Sequence, residues 1–196
     1  MTLNALPQLQ IAPEARQGAP APLPIGAQAP SFDGLLNVDG ERYGLADLDQ
    51  HQILVLIFTS TRCPTAKAYT DRLNALQATY GPRGVQVVLI NSNDPHLYPD
   101  ESYARMVSLS RELGYTFPYL LDEGQAVARA YGPQRTFHAF VLDRARALRY
   151  EGRFDDARVA TSVTTHDLAN ALDDLLGGRP VRVAQTKAFG CSLDIL

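Results

Sequence analysis

An α/β sandwich with a mixed sheet is the fold class the sequence predicts, and three observations carry it. Two continuously apolar runs, Ile53 to Phe58 and Val85 to Ile90, read as strands covered on both faces. Each is followed by a stretch of helical character, so strand and helix alternate through the middle of the chain. A late strand pair around Asp143 to Ala147 adds an antiparallel hairpin, which makes the sheet mixed.

The elements follow in order. Met1 to Pro30 holds six prolines and no periodicity, so residues 1–24 are expected to form an extended arm. A single domain then spans residues 25–196. Its first element is a hairpin around Asn37 to Gly40, where Asp39-Gly40 is a strong turn signal. After the first core strand, Pro64 suits the first turn of a helix that Gly81-Pro82 stops near Tyr80. The second core strand leads into a polar loop, Asn91 to Asp100, and a helix from Glu101 to Leu113 ended by Gly114. Phe117 to Leu121 reads as a short strand and Glu123 to Tyr131 as a short helix. Strands at Ala139 to Leu142 and Leu148 to Gly152 come next. The last helix, Thr165 to Leu176, is expected to be capped by Thr164 or Thr165. Residues 178–196 form an extended tail without a strong pattern.

Composition narrows the function. The 196 residues carry 18 basic and 21 acidic side chains, a net charge of -3, which disfavours a nucleic-acid or anionic-membrane surface. The longest apolar run is too short to cross a bilayer, and no leader pattern opens the chain. A cytoplasmic protein is the expectation. The four histidines, His51, His96, His138 and His166, lack metal-ligand spacing and are expected on the surface or in loops. His138 is the one near the loop expected to face Cys63. Asp173 and Asp174 read as the solvated face of the last helix. No metal and no cofactor are expected.

The two cysteines, Cys63 and Cys191, are too far apart in sequence for a paired zinc site, and each is either an inert buried thiol or a reactive one. Cys63 follows a core strand and directly precedes a helix. Such strand ends form sites in open α/β sheets, and a helix N-terminus stabilises a thiolate. Arg62 and Lys67 are candidates to add to that effect, and the Cys63 thiol is expected to titrate below about 8.5.

The segment Phe58 to Tyr69, with Cys63-Pro64 at its centre, resembles the redox-active turn of the thioredoxin-fold superfamily. More closely it resembles the redoxin branch that holds alkyl hydroperoxide reductases, thiol-specific antioxidant proteins and peroxiredoxins. Asn91 to Asp94, Tyr98 to Ser102, Phe117 to Glu123 and Ala188 to Ser192 extend the likeness over roughly residues 25–196. Three departures stand out. Ala66 replaces the second cysteine of a Cys-x-x-Cys turn, Phe137 stands where a cis-proline is expected, and Leu56 replaces the first proline of the peroxiredoxin pattern.

The resemblance implies a thioredoxin-like fold and a thiol-dependent peroxidase. In that reading Cys63 attacks a peroxide, Ser60 and Arg135 orient it, and Cys191 resolves the sulfenic acid as a disulfide. An external thiol reductant, thioredoxin-like or of low molecular weight, restores both thiols. Cys191 as a plain surface thiol on a frayed end is the bland alternative. Two other functions stay open: a thiol–disulfide oxidoreductase acting on protein disulfides, and a non-catalytic thioredoxin-fold binding module. A homodimer is compatible with the sequence. The peptide before Phe137 is expected to be trans, because cis costs a non-proline residue about 2.5–4 kcal/mol.

Overall fold

Side chains alternate across a strand, so the run at 53–58 sends Ile53, Val55 and Ile57 to one face and Leu54, Leu56 and Phe58 to the other. Both faces are apolar, and both are covered. The computed structural model of the protein describes residues 20–195, which leaves most of the expected 1–24 arm outside the described residues. At its described end, Leu23 donates its N–H to the Tyr131 carbonyl and packs against the second face.

Seven strands form one sheet: β1 (Leu35–Asn37), β2 (Arg42–Tyr43), β3 (Ile53–Thr59), β4 (Val85–Asn91), β5 (Tyr119–Leu121), β6 (His138–Leu142) and β7 (Leu148–Gly152). Their spatial order is β2-β1-β5-β4-β3-β6-β7. β3 pairs parallel with β4, and β4 with β5, while every other pairing is antiparallel. The expected mixed sheet with an N-terminal hairpin is therefore what the chain forms. Three helices, α1 (Pro64–Tyr80), α2 (Tyr103–Leu113) and α4 (Asp167–Leu176), cover the face of Ile53, Val55 and Ile57. The short α3 (Ala126–Tyr131) and the segment around Phe32, Leu45 and Leu48 cover the other.

Three helix starts differ from the sequence expectation. α2 begins at Tyr103 because Ser102 is its N-cap and accepts the Arg105 N–H, while Pro99–Glu101 forms a separate 3-10 turn. α3 begins at Ala126 because the Asp122 carboxylate, four residues earlier, accepts the N–H groups of Val127 and Ala128. Neither Thr164 nor Thr165 caps α4, since Thr164 donates both its N–H and its hydroxyl to Asp156.

Asp174 corrects a further expectation. Its side chain is buried rather than solvated, and Arg182 and Arg179 donate to its carboxylate at 3.0 and 3.2 Å. This joint ties α4 to the start of the tail. Hydrogen bonds from the Arg182 side chain, and then from its backbone N–H, hold the carboxyl below the usual range. A group lowered on folding stabilises the folded state above its ordinary value of about 4 and loses that contribution as pH falls through the folded value. The amide protection factors over residues 179–185, corrected for the intrinsic exchange rate, are therefore expected to fall on acidification below that value. Asp174→Asn should bring the lower protection at neutral pH and remove its acid dependence; equal protection in both proteins would refute the anchor.

Candidate redox site

β3 ends at Thr59, and the chain turns through Ser60, Thr61 and Arg62 to Cys63, the N-cap of α1. Pro64 takes the first helical position, where its missing N–H costs nothing. Cys63 is only 4% exposed. The expected partner meets it: Cys63 and Cys191 are joined by a disulfide, with their Cα atoms 6.1 Å apart. The tail reaches this position by running beside β7, where Gln185 bridges Glu151 in parallel register, and then crossing the end of the sheet. It closes by packing Leu193 and Ile195 against the second face.

Thr136, fully buried at the entry to β6, organises the junction. Its N–H donates to the Cys191 carbonyl at 3.0 Å, and its hydroxyl oxygen accepts the Cys191 N–H at 2.8 Å. The same oxygen lies 3.2 Å from Cys63 Sγ. A disulfide sulfur has no proton, so the hydroxyl proton points at the sulfur. One side chain thus touches both halves of the bridge. Gly190 permits this approach, because a Cβ there would stand 2.3 Å from the Thr136 carbonyl oxygen.

Phe137, beside it, takes a left-handed φ of 61° in a trans peptide, as expected for a non-proline residue. Its N–H donates to the Phe58 carbonyl, and its ring stacks on Tyr69 with centroids 4.8 Å apart. The loop is held closed by packing.

The other expected site residues are engaged by partners of their own. Ser60 donates its hydroxyl to Glu101 and accepts the Arg62 N–H. Arg135 donates to Ser192 Oγ at 3.0 Å and fastens the tail. The Arg62 guanidinium lies 4.2 Å above the Tyr98 ring, and Lys67 pairs with Glu112 at 3.4 Å in a largely exposed position. Both cations are partnered away from the thiol, which leaves the α1 terminus as the feature favouring thiolate at Cys63. His138 is buried rather than on the surface. Its Nδ1 accepts the Gln134 N–H, its Nε2 donates to Glu151, and its ring stacks on Phe140. With both nitrogens occupied, it offers no base to Cys63.

Two residues of the site escaped the sequence reading. Thr136 is one; its place directly before Phe137, at the break in the cis-proline pattern, was the available sign. Glu101 is the other. It is 2% exposed, and its carboxylate accepts from Ser60, the Thr61 N–H, Asn91 and Asn93, bracing the loop that carries Cys63. Among the described residues no cluster of metal-ligating side chains occurs.

Replacing Thr136 by Val should leave the partly buried Cys191 N–H without its acceptor, a loss of about 0.5–1.5 kcal/mol. Thr136→Ser should restore most of it. Thermal unfolding of both oxidised variants checks this, and a Val variant as stable as the Ser variant would remove the hydroxyl from the account.

A mixed sheet of this order, with a cysteine capping the helix after its first parallel strand, defines a thioredoxin-like protein. Residues 24–172 match the Redoxin family, and the chain belongs to that family. The structure is similar to that of an uncharacterized conserved protein from Geobacillus kaustophilus, with 42% identity and a TM-score of 0.81 over 87% of this chain and 91% of that one. It is also similar to a hypothetical protein of Sinorhizobium meliloti 1021, with 35% identity and a TM-score of 0.83 over 92% and 99% of the two chains. The Thiol-disulfide oxidoreductase ResA of Halalkalibacterium halodurans is 31% identical over 107 residues, 55% of this chain and 56% of that protein.

Proposed function

We propose that the protein is a thiol–disulfide oxidoreductase in which Cys63 and Cys191 cycle between a dithiol and a disulfide. The observation that carries this reading is the bonded pair itself, formed at the N-terminus of α1 and clasped by Thr136. The name of the ResA relative supports it. The pair replaces the missing second cysteine at Ala66 with one brought in by the tail. In the forward direction the dithiol gives two electrons to an external disulfide, whose two sulfurs leave as thiols. An external dithiol or low-molecular-weight thiol then reduces the Cys63–Cys191 bond.

The peroxidase reading has less support in the geometry. A peroxide needs donors aimed at its oxygens beside the attacking sulfur, and Ser60 and Arg135 are held by Glu101 and Ser192 instead. Insulin reduction by dithiothreitol, run beside a peroxide-consumption assay, separates the two. The expected result is accelerated insulin precipitation with peroxide loss at the rate of dithiothreitol alone. Fast peroxide consumption without insulin reduction would reverse the assignment.

A further inference from the structure

We infer that Cys191 is the sulfur at which an external thiol enters the closed form, and that Cys63 is the sulfur that leaves. This rests on the thiol–disulfide reading above and assigns the two cysteines different jobs within it.

Access is the first argument. An incoming thiolate must reach the sulfur it attacks, so exposure selects the target. Cys63 is 4% exposed, beneath the buried Thr136 and the crossing tail. Cys191 is partly exposed and lies between two exposed neighbours, Gly190 and Ser192. The open side of the bridge is the tail side.

The leaving group is the second argument. Exchange is faster when the departing sulfur is the better-stabilised thiolate. Cys63 caps a 17-residue helix, whose positive end favours a charge on its sulfur. The Thr136 hydroxyl already points at that sulfur from 3.2 Å and needs no movement to receive the developing charge. Cys191 sits in irregular chain and caps no helix itself.

A thiolate RS⁻ forms a bond to Cys191 Sγ while the Sγ–Sγ bond breaks, and the electron pair departs with Cys63 Sγ. The mixed disulfide RS–S is then carried by the tail. A second thiolate attacks the R-bearing sulfur, giving RS–SR and the Cys191 thiolate, and both protein sulfurs take up protons from solvent as their acidity dictates. In reverse, the Cys191 thiolate meets the external disulfide, and Cys63 resolves the mixed species.

The test uses the oxidised wild-type protein and glutathione. Samples are quenched in acid at early times, alkylated with N-ethylmaleimide, and mapped by mass spectrometry without reductant. Extrapolation to zero time separates the first adduct from later exchange. The expected result is glutathione on the Cys191 peptide and maleimide on Cys63, in at least about tenfold excess over the reverse pattern. Glutathione on Cys63, an even division, or no adduct on Cys191 at any time overturns the inference. The thiol–disulfide reading survives the first two of these outcomes. It fails only if the purified protein also leaves insulin unreduced.

Discussion

Replacing either cysteine by serine is expected to end multiple turnover in insulin reduction, leaving only the rate set by dithiothreitol. The cycle closes because one protein sulfur displaces the substrate from the other, and 6.1 Å between Cα atoms suits that exchange. A lone thiol forms the mixed disulfide and stops there. The Cys63→Ser variant should therefore accumulate one equivalent of substrate-bound protein through Cys191, visible by mass spectrometry without reductant. Should Cys191→Ser retain wild-type turnover, a single cysteine suffices and the tail thiol has only a structural role.

The second large effect is on stability. The bridge spans 128 positions, so in the unfolded state it keeps two distant points of the chain from separating. Disulfides typically contribute about 2–4 kcal/mol, and the loop-entropy relation gives about 5 kcal/mol as the ceiling for one this long. For a domain of this size each kcal/mol moves the melting temperature by about 2–4 °C. Reduction should then lower it by roughly 4–16 °C. The Cys191→Ser variant should melt near the reduced wild-type value, with no response to reductant. A wild-type protein that melts at the same temperature with and without reductant would show that the tail is held by its hydrogen bonds alone.

Local sequence announced what local chemistry decides. α1 starts at Pro64 and stops at Tyr80, where the sequence placed it, because its ends are written in a proline and a glycine. Likewise β3 and β4 are apolar on both faces because both faces are covered. The site was legible only in its sulfurs. Thr136 acquires its role through partners 73 and 55 positions away, Cys63 and Cys191, and no local pattern records such a meeting. Glu101 misled because an acidic residue suits the first turn of a helix. The chain instead turns it inward to Ser60, Thr61, Asn91 and Asn93, and lets Ser102 cap the helix. Asp174 resembled a solvated carboxylate until Arg179 and Arg182, on the tail, folded back over it.

The path of the tail has one more consequence. By joining Cys63 to Cys191, it turns nearly two thirds of the polypeptide into a covalent ring with a short stub beyond the closure. A denatured ring occupies less space than the same chain cut open, since its ends can no longer separate. In detergent, the oxidised protein becomes a smaller coil than the reduced one and passes through a gel ahead of it. Redox state, otherwise hidden in one bond, is converted into molecular size.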